Sequence, residues 1–492
     1  MNAITQSITN SPSKHYHNII LGAGISGLTT AFYLQKSNKD QNFIILEKND
    51  RVGGRVFTDT FNNNLVEHGP NALILRKKEF RDILCDLQLE NELIYPPAQS
   101  KKRYICKNGK LISVSPSSLL LKSDLTDLKA KIKLLLGGYT STPQEKIPAN
   151  QNIFDFFATR FSNKFAENLI IPLVSGIYAG DARKVIMKNA FPKIYEFALN
   201  SNSLLLGAIK TLLRKKQKQQ QNKQNNHKES FQANNLASFK DGLNILSNTI
   251  YKNFEKQVIL NSTVTSISKD NFKKMWIIKT ANESYTCKNL INTLPAISFA
   301  ELLLSDDLWF NELKSYLKNI NYSSVIIVHL TYNKSDIKNK NRGFGFLNTH
   351  ENNLLKRPLR ILGTLFSSYM FPSRTSTNQE LFTVFLGGDL YPQIKQLSDK
   401  EIIDLAHTEL TKILQINASI ANEHSILRWD LAIPQYDQNH LQFKDWINRD
   451  ENTKEYIKNN LYWSTNYWGG ISVPDCMINA KNIAQNILEE SI

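Results

Sequence analysis

The sequence predicts an α/β protein with a discontinuous dinucleotide-binding domain, a β-sheet domain and a helical lobe. Three observations predict it. A strand-like run, a glycine-rich turn and a helical apolar pattern follow one another within residues 17–48. Apolar runs of strand type, such as 324–330 and 381–386, gather between residues 299 and 424. Between residues 104 and 213, Lys alternates with Leu and Ile at helical spacing, as in 125–136. A chain of 492 residues, 41% of them hydrophobic, is long enough to bury several cores.

The first segment carries the strongest signal. Asn18 to Leu21 is an apolar run of strand type, and Gly22-Ala23-Gly24-Ile25-Ser26-Gly27 follows at once. Gly22 permits the tight turn, Gly24 lets the backbone approach a pyrophosphate, and Gly27 lets the helix pack closely on the strand. The helix start then presents free N–H groups to the anion. A second strand, 42–46, ends at Glu47 and Lys48. Glu47 stands twenty residues after Gly27, where a carboxylate accepts from a ribose hydroxyl. A G-x-G-x-x-G motif alone is weak; the full strand–turn–helix–strand–acid context makes it a Rossmann-type site. Arg51-Val52-Gly53-Gly54-Arg55 comes next, and its paired glycines beside arginines suit a loop that wraps a diphosphate.

Bulk composition narrows the alternatives. Sixty basic and 44 acidic residues give a net charge of +16. Much of the excess lies in the Lys/Gln/Asn tract 214–230, which reads as a solvated, low-complexity loop. No nucleic-acid motif accompanies the charge, so nucleic acid is not an expected partner. No apolar run reaches the length of a spanning helix, and the polar start lacks a secretion signal. The four cysteines, Cys85, Cys106, Cys287 and Cys476, include no CxxC pair, so neither a metal site nor a disulfide framework is expected.

With Val66-Glu67-His68-Gly69-Pro70-Asn71 after the second arginine, the sequence resembles the amine-oxidase-like FAD superfamily, whose members carry an acid followed by a Gly-Gly-Arg segment. Further motifs resemble the oxygen-dependent protoporphyrinogen and coproporphyrinogen III oxidases within it. They are 168–181 (NLIIPLVSGIYAGD), 343–347 (GFGFL), 361–368 (ILGTLFSS) with Phe371-Pro372, 432–436 (AIPQY) and 467–476 (YWGGISVPDC). The resemblance runs from about His17 to the C-terminus, interrupted by the Lys/Gln tract. It implies an FAD enzyme of haem biosynthesis that takes a porphyrinogen to the porphyrin in three two-electron steps, with dioxygen reduced to peroxide. It implies no acid–base residue, because the flavin carries the chemistry.

The resemblance also implies site residues. Gly22 to Gly27, Glu47, Lys48 and Arg55 match cofactor positions, and His68, Gly69, Pro70 and Asn71 match the segment beside the flavin. Val264 matches the return strand on the adenine side. Trp429, Ile471, Ser472 and Val473 match C-terminal positions that reach the flavin. For substrate, Arg103 matches a basic residue that pairs a propionate. Leu347, Leu365 and Phe385 match apolar residues that sandwich the macrocycle, and Asn71 faces the reacting centre. Two departures stand out: Ser464-Thr465 replaces an Ala-Gly pair, and Asn479-Ala480 replaces a Ser-Gly pair.

The expected domains are 15–75, 231–298 and 425–492 for FAD, 76–103 and 299–424 for substrate, and 104–213 for a helical, membrane-facing lobe. Protoporphyrinogen IX is favoured over coproporphyrinogen III because of Arg103. Another enzyme of the superfamily, or a flavin- or porphyrin-binding protein without turnover, are the competing readings. Expected partners are the porphyrinogen, dioxygen, a membrane surface, a second copy of the chain, and ferrochelatase as the recipient of product. The expected location is the cytoplasm, peripheral on the inner face of the cell membrane.

Overall fold

A computed structural model describes residues 14–37, 42–121, 124–140, 147–220, 236–270, 272–304, 307–350, 354–355, 357–449 and 460–490. β1 (Lys14–Leu21), α1 (Ile25–Ser37) and β2 (Phe43–Leu46) open the chain, followed by β3 (Asn64–Glu67), β4 (Arg103–Lys107) and β5 (Lys110–Ser113). α2 (Leu128–Leu135), α3 (Ile171–Tyr178) and α4 (Leu204–Gln220) belong to the helical stretch. β6 (Val258–Ile259), β7 (Val264–Asp270), β8 (Met275–Thr280) and β9 (Ser284–Asn292) come next. β10 (Tyr322–Asn333), β11 (Gly345–Asn348), β12 (Ile361–Phe366), β13 (Gln379–Gly387), α5 (Asp399–Leu414), β14 (Glu423–Pro434), β15 (Leu461–Trp463) and α6 (Val473–Glu489) complete it.

The first sheet has the order β6–β2–β1–β9–β8–β7. β1, β2, β6 and β9 run parallel, and β7–β8–β9 form an antiparallel meander. β15 adds in parallel to the C-terminal end of β9. β1 and β2 are near-continuous apolar runs because α1 and α6 cover one face and a second core covers the other.

The second sheet has the order β14–β10–β13–β12–β11–β4–β5. It is antiparallel apart from the β11–β4 pair. Phe346, Thr364, Val384, Val328 and Leu330 point to one face and are at most 3% exposed. Ile402, Ala406 and Leu410 of α5 pack in the same core.

Three boundaries differ from the sequence expectation. Residues 104–113, expected in the helical lobe, instead join the second sheet in a hairpin that starts at Arg103. The cause is Asn108-Gly109, both at positive φ (49° and 75°), the two-residue turn that matches strand twist. Residues 423–434 also join the second sheet, as the edge strand β14. The tract expected as a loop from 214 continues α4 as far as Gln220, since Lys and Gln are good helix formers behind an apolar start. Residues 221–230 of that tract lie outside the described residues.

Candidate active site

At the C-terminal end of β1 the strand order reverses, with β2 on one side and β9 on the other. In an open parallel sheet that crevice is where a dinucleotide sits. The three glycines there have different physical reasons. Gly22 has φ +98°, which disfavours any side chain. A Cβ on Gly27 would lie 2.1 Å from the Gly22 carbonyl oxygen, so the helix closes on the turn only with glycine. Gly24 has no such constraint, because a Cβ there would meet nothing nearer than Gly54 Cα at 4.0 Å. The protein itself leaves room at Gly24, and a pyrophosphate approaching the backbone is what would fill it.

The rest of the cradle is tied to that turn. The Ala23 N–H donates to Glu47 Oε2 at 2.8 Å, and the Asn49 backbone and side-chain N–H groups donate to Oε1 at 2.9 and 2.6 Å. Glu47 is thereby fixed and buried, while Lys48 is exposed. The Ser262 N–H donates to the Glu47 carbonyl at 2.8 Å, which brings half-buried Val264 to the same end of the sheet. Ile25 and Ser26 are buried at the helix start. The Gly53 N–H donates to the Ala23 carbonyl at 2.9 Å, so the arginine-bearing loop lies on the glycine turn.

Arg55 donates to the Leu431 carbonyl, and its Nε is buried without a hydrogen-bond partner. Burial lowers its pKa. An orphaned guanidinium nitrogen beside the cradle fits an anionic cofactor. A Cβ on Gly69 would come within 1.9 Å of the Arg55 carbonyl oxygen, so the segment His68 to Asn71 packs directly on this loop. The half-buried Pro70 lies between Gly69 and Asn71, whose Nδ2 donates to the Gly69 carbonyl at 3.0 Å. Trp429 Nε1 donates to the His68 carbonyl at 2.5 Å.

From the C-terminal side, Ser472 caps α6 by accepting from the Asp475 N–H at 3.2 Å, with Ile471 half-buried before it and Val473 buried after it. Cys476 beneath is a buried thiol pushed up to about 12 by desolvation. Thr465 has φ −124° and ψ 157°, extended backbone open to any residue, so its departure from glycine strains nothing. Ser464 Oγ lies 3.1 Å from Thr30 Oγ1, tying the departing pair to α1. Asn479 Nδ2 donates to the Trp463 carbonyl at 3.1 Å, a contact that the other departure supplies.

The second sheet turns its other face toward this cradle. Residues directly opposite one another share a face, as do alternate residues along a strand. Arg103, Gly345, Leu365, Thr383, His329 and Ser425 form one cross-strand row. Leu347, Gly363, Phe385 and Ile327 form the next, and Trp429 pairs with Val325 on the same face. Leu347, Leu365 and Phe385 are half-buried where their neighbours on the opposite face are buried, and Trp429 is half-buried too. Their face therefore borders accessible space. α3 crosses it so closely that a Cβ on Gly176 would lie 2.4 Å from Leu347 Cδ2. Arg103 stands exposed at the row's far end, its guanidinium 5.3 Å from the Phe344 ring centroid.

The sequence reading missed the buried ion pair of this region. Glu67 and Arg374 form a buried ion pair at 3.0 Å, each 3% exposed. They line a small cavity with Asn71, Ser367 and Thr383. Asn71 was already a candidate, and His329 and Thr383 were legible only as parts of strands.

A pyrophosphate cradle at a switch point, a buried acid at its ribose end and an arginine loop beside it define a dinucleotide-binding flavoprotein fold. The chain belongs to the family of flavin-containing amine oxidoreductases, whose model matches residues 25–488. It is an FAD-dependent oxidoreductase. It is 26% identical over 468 residues to protoporphyrinogen oxidase 2, chloroplastic/mitochondrial, of Arabidopsis thaliana, covering 92% of this chain and 90% of that one. It is 26% identical over 492 residues to coproporphyrinogen III oxidase of Bacillus subtilis (strain 168), covering 96% and 98%. Among solved structures, wild-type putrescine oxidase bound to putrescine superimposes with a TM-score of 0.67 at 14% identity, covering 97% of this chain and 100% of that chain.

Proposed function

We infer that this chain oxidises a porphyrinogen to the porphyrin, with protoporphyrinogen IX as the substrate and dioxygen as the acceptor. The observation that carries the reading is the row structure of the second sheet. It places Leu347, Leu365 and Phe385 on one half-buried face, with Arg103 at the end of a row. A flat apolar macrocycle wants such walls and few polar anchors. A guanidinium at the rim suits a propionate, which it grips bidentately. The relatives named for porphyrinogen oxidation match over nearly their whole length.

Bound FAD would supply the two-electron acceptor. The residues that would hold it are the turn Gly22–Gly27 with Glu47 at the ribose, Arg55 and the Gly69–Asn71 segment at the flavin, and Ser472 at the start of α6. Leu347, Leu365 and Phe385 would set the plane of the macrocycle, which positions its reacting carbon and excludes water. Coproporphyrinogen III is the second reading, favoured by the Bacillus relative that matches over 98% of its length.

Peripheral attachment to a membrane is part of the same reading. Leu128, Ile132, Leu135 and Leu136 on or beside α2, and Leu205, Leu206, Ile209 and Leu213 on α4, are each 45–73% exposed. The two groups adjoin, since a Cβ on Gly137 would lie 2.6 Å from Leu205 Cβ. Lysines flank the first group, as on interfacial helices. No described helix is long and apolar enough to cross a membrane.

The test is a fluorescence assay on FAD-loaded protein with protoporphyrinogen IX and coproporphyrinogen III in parallel. Porphyrin emission with peroxide release, faster for the first substrate and slowed by Arg103→Ala, is the expected result. FAD bound with no emission from either substrate overturns the reading.

A further inference from the structure

Two buried histidines face each other beside the site. His68 is 3% exposed, and its Nε2 lies 3.5 Å from Asp59 Oδ2, on a side chain that is 53% exposed. His329 is fully buried and stands in the cross-strand row of Leu365 and Thr383. The two ring centroids are 5.2 Å apart, edge to face. His329 Nδ1 lies 3.1 Å from Thr383 Oγ1, which lies 2.7 Å from Ser367 Oγ. His68 Nδ1 and His329 Nε2 are both buried without a hydrogen-bond partner.

A buried polar atom left unpaired is costly, and neighbouring unpaired ring nitrogens call for a reason. A neutral imidazole carries one N–H. With the Nδ1–H of His329 donated to Thr383, its Nε2 keeps a free lone pair. Burial holds both rings below the usual histidine range, and a charge on His68 opposes protonation of His329. Asp59 favours the charged form of His68, and Arg51 opposes it. The pair is therefore neutral near pH 7 and has room for one proton.

We propose that His329 and His68 form a proton relay that takes a proton from the active site and passes it to Asp59 at the surface. The relay rests on the oxidation inferred above. Each two-electron step there removes one hydride from a bridging carbon and one proton; over three steps four C–H and two N–H bonds break, so two of the protons leave nitrogen and one leaves carbon. Bound FAD would accept the hydride with its C–H electron pair. The electron pair of the N–H bond, or in one step of the remaining C–H bond, stays with the substrate as a new double bond forms, and the proton goes to His329 Nε2. From there a small closing of the 5.2 Å ring separation hands it to His68 Nδ1, and the Nε2 proton of His68 leaves to Asp59 and to water. Neither histidine changes oxidation state. A placed base of this kind contributes about 100-fold or more to a rate.

Two measurements test the relay. The first is histidine nitrogen NMR on FAD-free protein. His329 is expected as the neutral Nδ1–H form, and Thr383→Val is expected to mix its tautomers while Thr383→Ser keeps one. His68→Gln is expected to raise the pH at which His329 titrates, because it removes a competing positive charge. An unshifted His329 in that variant overturns the relay. The second is anaerobic bleaching of the FAD-loaded protein by protoporphyrinogen IX. His329→Gln is expected to slow it about 100-fold near neutral pH and to make the rate climb with pH. Equal rates and equal pH profiles overturn the relay. A wild-type protein that no porphyrinogen bleaches counts against the substrate reading instead, and the NMR result then decides the histidine pair alone. Should His329→Gln fail to fold, His68→Gln serves in both measurements.

Discussion

The two motif glycines Gly24 and Gly27 make opposite demands on their surroundings, and this separates cofactor binding from folding at single positions. A Cβ at 24 meets open space, whereas a Cβ at 27 meets a carbonyl at 2.1 Å. Gly24→Ala should therefore leave the thermal midpoint of the FAD-free protein unchanged and weaken FAD binding at least ~10-fold, about 1.4 kcal/mol. Gly27→Ala should destabilise the FAD-free protein itself by about 1–3 kcal/mol through overpacking. Thermal unfolding with and without FAD distinguishes the two. An equal loss of midpoint in both FAD-free variants would contradict the division. These positions were legible in the sequence because their glycine types follow from local turn chemistry. Thr465 was not. Its replacement of a glycine reads as a threat to the backbone until the extended φ of −124° shows that no glycine is needed.

At the scale of elements, helix ends were poorly visible and helix stability is locally encoded. α5 begins with a full capping box, in which Ser398 Oγ accepts from the Glu401 N–H and Glu401 accepts from the Ser398 N–H. Ser398→Ala should cost about 1 kcal/mol of unfolding free energy in urea. FAD affinity should not change, since α5 lies on the face of the second sheet away from the cradle. The strands show what sequence cannot give. That His329, Thr383 and Leu365 share one row depends on registers between segments far apart in the chain, and no local pattern encodes register between them. The Asn108-Gly109 hairpin was legible in principle, since that dipeptide between strand-like residues is a strong turn signal. The Lys-rich neighbourhood read as helix instead.

At the scale of the whole molecule, the Glu67–Arg374 pair joins β3 of the first lobe to the segment after β12 of the second, and Arg374 also donates to Ser238 Oγ at 2.8 Å. Burial raises the Glu67 carboxyl pKa despite the opposing guanidinium. A carboxyl whose folded pKa is raised binds its proton more tightly when folded, so its contribution to stability falls as pH rises through that pKa. Arg374→Met removes the counter-charge and should cost about 3–5 kcal/mol at pH 7. The deficit should shrink as pH is lowered toward 5, as Glu67 takes up a proton. Denaturation at a series of pH values checks the sign, and a deficit that grows on acidification would reverse the argument. The exposed leucines of α2 and α4 belong to the same scale. Leu128→Ser with Leu205→Ser should weaken binding to anionic vesicles about 100-fold or more in co-sedimentation, the loss expected on removing two buried leucines at about 1.5 kcal/mol or more each. Unchanged sedimentation would place those faces elsewhere.

The first sheet closes only when β15, at residues 461–463, docks beside β9, and when α6 lies along α1. During translation, β1, α1 and β2 leave the ribosome long before these partners exist. The apolar side of α1 and the edge of β9 stay uncovered until residues 461–489 have emerged. Such a nascent chain is a natural client for chaperones. The cofactor can then be loaded only after residues 461–489 have been made, so chains terminated before them should accumulate colourless.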